Sequence, residues 1–335
     1  MLATHVLAVW LAVWLTLTIG VAAGRTRWLC CTRETTCKLF TPIVMLATFG
    51  LGFMASDEHC GPRSAREVPQ GHEWFTTIPS TLFAALTLQA LAQLLVASTN
   101  MFAHQLMVSP CVAVHVCTAL YYFAGETLSP SCVLHTRWGT EVRPLHYILW
   151  WVSMSAQLLT LNGLECALRR RAVNASATQA PSRGLTKAPP SAADTPLDEA
   201  ERRALRRCAL SLASIPTMLG LTLYVDVLRG PIVMHAVVFG AFYTALYTGI
   251  YSPLSACSMH ALLLPTPTSR GLAFRFRAIA AYLLCAWHAF PLVWLIELLG
   301  GVSARGARIG YLVADLLAKF LPITLYISAA VELGA

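Results

Sequence analysis

The chain has 335 residues, of which 56% are hydrophobic and 12% charged, with a mean hydropathy of +0.61. Soluble domains carry about 25% charged residues, so this composition excludes an ordinary globular protein and indicates one that crosses a membrane several times. The formal net charge is +8, but the basic residues fall mainly in short connections, as membrane topology requires, and no nucleic-acid partner is expected.

Apolar segments fall near 3–23, 38–56, 77–100, 106–125, 145–167, 207–228, 231–252, 274–299 and 308–332. Most approach the roughly 20 residues that a spanning helix needs. Residues 1–56 are expected to form an amino-terminal transmembrane hairpin. The alternative is a cleaved signal segment ending near Val21-Ala-Ala-Gly24, but the start, Met-Leu-Ala-Thr-His, has no Lys or Arg. Cys30 and Cys31 are juxtamembrane and open to palmitoylation. Residues 57–76 form a polar extracellular linker. The loop 126–144, with Pro130, Gly139 and Pro144, is long enough for a small hairpin. Residues 168–206, rich in Ala, Ser, Pro and Arg, are expected to be a disordered cytosolic linker.

Placing the N-terminus outside gives sixteen Lys and Arg in the inner connections against seven in the outer ones. The bias sets the N-terminus outside and the C-terminus in the cytosol, with the plasma membrane as the expected location. The sequon at Asn174 is then cytosolic. Eleven cysteines include no CxxC pair, and no metal site is expected. Cys60 and Cys132 both fall outside and are candidates for a disulfide, though sequence does not fix their separation.

The last segment holds Lys319, with Asp315 four residues earlier on the same helix face. A charged side chain at the centre of a span costs about 2.5–3.5 kcal/mol on insertion scales. A buried lysine amine readily loses its charge and condenses with an aldehyde. The pair is therefore a functional candidate, with a structural ion pair as the alternative.

The preceding segment contains Trp287-His-Ala-Phe290-Pro291-Leu-Val-Trp294. Together with Asp315-x-x-x-Lys319 on the next helix, it resembles the sixth and seventh helices of the microbial (type I) rhodopsins, the bacteriorhodopsin- and channelrhodopsin-like family. The resemblance spans about residues 77–335. It implies an all-α membrane protein: a seven-transmembrane-helix retinal-binding bundle, here preceded by two additional N-terminal helices. It implies all-trans retinal as cofactor, Lys319 as its Schiff-base attachment and Asp315 as counterion. The stretch Pro144–Ser155 resembles the family's third helix. By that match Tyr147, Trp150, Ser153 and Met154 line the retinal pocket, with Met218, Gly220 and Phe239 from the next two helices and Trp287, Phe290, Pro291 and Trp294 from the sixth.

The departures bear on function. The third-helix carboxylate of the family's pumps is Leu149 here, its arginine is His146, and the internal proton-donor position is Thr160. Phe290 stands where pumps often have Tyr. Asp315 is left as the counterion, with His146 as a candidate proton acceptor or gate. Outward pumping is thus disfavoured, and the expectation is a light-gated ion channel. Few acids lie in the spans while bases dominate their flanks, a field that favours anions. Chloride or protons are the candidate ions. A non-conducting photoreceptor signalling to a partner remains open, as does a non-photoactive transporter or scaffold with a structural Asp315–Lys319 pair. No enzymatic activity is expected, and a homo-oligomer is left open.

Overall fold

The computed structural model describes residues 114–122, 134–179, 199–265, 269–320 and 322. The amino-terminal hairpin (1–56), the linker 57–76 and the Cys60–Cys132 candidate lie outside these residues. So does the expected count of nine spans. What is described is a bundle of long helices with one short β-hairpin.

Residues 114–122 form a helical stretch. A hairpin follows, β1 (Leu134–His135) and β2 (Glu141–Val142), paired antiparallel with Leu134 opposite Val142. Its turn needs a positive φ, which Gly139 supplies at 79°. Pro144 then opens α1 (Pro144–Gln179), at the helix position where a missing N–H costs nothing. After α2 (Glu199–Asp226) come α3 (Met234–Ala245), a π-helical turn (Leu246–Tyr251) and α4 (Ser252–Leu262). The chain continues through α5 (Ser269–Leu298) and α6 (Ala304–Asp315) into a second π-helical turn (Leu316–Phe320).

One expectation is corrected. The linker expected over 168–206 does not begin at 168 or run to 206, because α1 continues to Gln179 and α2 already starts at Glu199. Local propensity explains both ends. Leu168-Arg-Arg-Arg-Ala and Glu199-Ala-Glu-Arg-Arg-Ala-Leu are built from strong helix formers, and Glu199 pairs with Arg202 one turn on. Counting Arg as a linker residue hid this.

α5 has 30 residues, or about 45 Å of helix. It and the segment Arg202–Asp226 are the described helices long and apolar enough to cross a bilayer, with mean hydropathies of 1.8 and 1.6. Apolar residues occupy both the interior and the outward faces. Leu149, Leu158, Leu212, Phe276 and Leu283 are buried, while Phe274, Leu292, Leu295 and Leu317 are exposed. Helices apolar all round suit a lipid surround.

α5 and α6 approach closely at Gly310. A Cβ there would lie 2.9 Å from Val293 Cγ2 and 3.0 Å from its Cγ1. Val293 is β-branched and locked at χ1 in a helix, so it cannot swing away. We expect Gly310→Ala to lower stability by about 1–2 kcal/mol, since the clash outweighs the helix-propensity gain. A thermal melt of the purified protein measures this. An unchanged melting temperature would mean that the two helices separate freely.

Candidate functional site

Asp315 closes α6 and Lys319 sits in the π-helical turn that follows. Lys319 Nζ lies 2.7 Å from Asp315 Oδ1, with side-chain exposures of 2% and 0%. A carboxylate buried this deeply survives only if its remaining lone pairs are met, and two other helices meet them. The Tyr122 hydroxyl donates to Asp315 Oδ2 at 2.9 Å. His146 Nε2 lies 3.0 Å from the same oxygen. The Trp150 indole N–H donates to Oδ1 at 3.1 Å. An ionised carboxylate only accepts, so His146 donates from Nε2. Its ring also stacks on Tyr121, with centroids 4.8 Å apart.

The turn carrying Lys319 has its own supports. A π turn leaves carbonyls without their usual partners. Here Tyr282 donates to the Leu317 carbonyl at 2.7 Å, and Gln157 Nε2 donates to the Ala318 carbonyl at 3.0 Å. The lysine is thus positioned by α1 and α5 as well as by its own helix.

Beside the pair lies a mainly apolar cavity of about 90 Å³. Of the residues expected in a chromophore pocket, Tyr147, Trp150, Met154, Met218, Phe239, Phe290, Pro291 and Trp294 line it, and Leu219, Thr222, His235, Val238, Phe242 and Tyr311 complete its walls. Three expected residues do not. Gly220 faces outward, since two helix steps from the lining Met218 turn it to the opposite side. Ser153 is buried and folds its hydroxyl back on the Trp150 carbonyl at 3.3 Å. Trp287 shares a helix side with Trp294 but lies about 10 Å along the axis, and it is packed in the hydrophobic core instead. Lys319 itself is drawn onto Asp315 rather than into the cavity, and Trp150 bridges the two by bonding Asp315 while walling the cavity.

A second cavity of similar volume opens on the hairpin side. It is lined by Arg143, Arg305, Arg308, Glu297 and His146, among others. Tyr147, Trp150, Trp294 and Tyr311 belong to both cavities and so form the partition between them.

Leu149, where the pumps carry an acid, is fully buried in the core. Thr160 donates to the Ala156 carbonyl of its own helix at 2.8 Å. His288 sits against the Leu284 carbonyl at 2.5 Å. At the other end of the bundle, Arg207 of α2 bonds Glu165 of α1 at 2.5 Å and also reaches Ser252 of α4, which ties three helices together.

Sequence reasoning missed Tyr122, Gln157, Tyr282 and Tyr311. The first three act across more than 30 residues of sequence, and no local spacing announces them. Trp150 was expected as a wall residue only, and its indole bond to the carboxylate appears only in three dimensions.

No protein-family model matches this chain, and no curated protein matches it in sequence. Solved structures do match in fold. The transmembrane domain and linker region of Salpingoeca rosetta rhodopsin phosphodiesterase superposes with a TM-score of 0.63 at 15% identity, covering 90% of this chain and 85% of that one. Thermophilic rhodopsin from Rubrobacter xylanophilus gives 0.55 at 23% identity, covering 78% and 97%. The light-driven proton pump of Coccomyxa subellipsoidea gives 0.54 at 16%, covering 78% and 98%.

Proposed function

We propose that this chain, which has the microbial (type I) rhodopsin fold, is a retinal-binding, light-activated membrane protein that acts as an anion-leaning light-gated ion channel. The observation that carries the proposal is the fully buried Lys319–Asp315 pair, 2.7 Å apart, set against an aromatic cavity. The residues present fit the group. Lys319 Nζ makes no hydrogen bond among the described residues beyond its ion pair, and the indole and phenyl rings beside it are the residue types that suit a long apolar polyene, for which the cavity of about 90 Å³ must widen and Lys319 must turn toward it.

Retinal supplies the visible absorption and a change of shape on illumination. Lys319 Nζ is the attachment point. Asp315 holds positive charge and a proton at that nitrogen, and Tyr122, His146 and Trp150 fix the carboxylate so that it does not reorient. Trp150, Phe290 and Trp294 form walls that resist the chromophore and pass its motion to α1 and α5. The guanidinium groups of Arg143, Arg305 and Arg308 at the outer cavity favour anions over cations.

The test is voltage clamp on cells supplied with all-trans retinal. We expect a light-evoked current whose reversal potential follows the chloride gradient. A bleachable visible band without current, at normal surface expression, would replace the channel by a photoreceptor that signals to a partner.

A further inference from the structure

A second buried carboxylate stands behind the cavity wall. Asp226, the last residue of α2, is 1% exposed. Its Oδ2 accepts the Trp294 indole N–H at 3.3 Å. Its Oδ1 accepts the Trp138 indole at 3.4 Å and lies 3.1 Å from His235 Nε2. Its backbone carbonyl takes the Arg137 N–H at 2.8 Å, and Arg137 also donates to the Gly230 carbonyl at 2.5 Å. Asp226 therefore joins the outer hairpin, α2, α3 and α5 at one point.

Its place relative to the partition gives the network a purpose. Each of the two partition tryptophans is held by a buried carboxylate, Trp150 by Asp315 and Trp294 by Asp226. His235, the third partner, packs at a tilt of 55° against Trp294 with centroids 5.3 Å apart and lines the same cavity. A tryptophan without this anchor keeps its bulk but loses its fixed angle.

We propose that Asp226 is the positioning residue for Trp294, and that it keeps the inner cavity sealed from small polar molecules in the outer one. The inference rests on the retinal reading only for what the seal protects. The hairpin forms the other end of the clamp, so moving Trp294 must strain or release the Trp138–Asp226 contact.

Two measurements test it. In the protein without chromophore, the Trp294 fluorescence (parent minus Trp294→Phe) should be quenched more strongly by acrylamide in Asp226→Ala. In the retinal-loaded protein, hydroxylamine should bleach Asp226→Ala in the dark about tenfold faster than the parent, the step that loss of one hydrogen bond to a charged group gives. Asp226→Asn, which keeps one acceptor, should fall between. Trp294→Phe, which keeps the ring but loses the N–H, should also bleach faster. Unchanged quenching and unchanged bleaching in folded Asp226→Ala would overturn the proposal. So would a faster loss of colour that appears equally without hydroxylamine, since that reports general loosening. A parent with no visible band would overturn the retinal reading alone, and the quenching arm would still decide on Asp226.

Discussion

Lys319→Ala should abolish visible absorbance completely. No other lysine lies in the described residues, so no alternative amine can take over the attachment there. The substitution also removes the cation beside Asp315, which is costly because breaking a buried pair leaves an uncompensated charge, about 3–5 kcal/mol in general. Here Tyr122, His146 and Trp150 still donate to the carboxylate, so the loss should fall at the lower end of that range. The comparison needs folded protein on both sides, checked by gel filtration and circular dichroism. A visible band that survives in Lys319→Ala would sink the attachment. A folded parent with no band would make the pair structural, as in a transporter or scaffold.

The second large effect is expected at Asp315. A negative charge 2.7 Å from Nζ stabilises positive charge at that nitrogen. Light absorption moves positive charge away along the polyene, so the carboxylate stabilises the ground state more than the excited one. Asp315→Asn should therefore shift the visible band to longer wavelength. Without chromophore it should destabilise the fold more than Lys319→Ala does, because the ammonium makes no other hydrogen bond among the described residues, whereas the carboxylate has three donors. Tyr122→Phe, which removes one neutral donor, should move the band less. An unshifted Asp315→Asn spectrum would assign the counterion to another group.

How far the sequence discloses the site depends on distance along the chain. Asp315 and Lys319 are four residues apart, so one helix turn brings them together, and this geometry needs no fold. The wall residues follow from the aromatic spacing around Pro291 and from the match at Tyr147 and Trp150. The carboxylate's donors do not follow: Tyr122 is 193 residues from Asp315, and many tyrosines in the chain are equally apolar in context. Gly220 and Met218 differ for the opposite reason: Met218 lines the cavity and Gly220 faces outward, and a short motif does not state which of its residues face inward. The helix ends within 168–206 were obscured because charge suggested a linker, while Ala, Leu, Arg and Glu also extend helices.

The π-helical turn at Leu316–Phe320 has a mechanical consequence. An ordinary helix transmits a twist along its own hydrogen-bond ladder. This turn has two carbonyls bound to side chains of other helices, Leu317 to Tyr282 and Ala318 to Gln157. A torque applied at Lys319 therefore cannot be absorbed by α6 alone. It acts on three helices at once, through a junction with one extra residue that can be taken up only if both side chains let go. Each such bond contributes about 1 kcal/mol, so the junction has a threshold of roughly 2 kcal/mol. Small thermal fluctuations of the lysine are shared across the bundle through these two bonds, while a push larger than the threshold frees the turn from its neighbours.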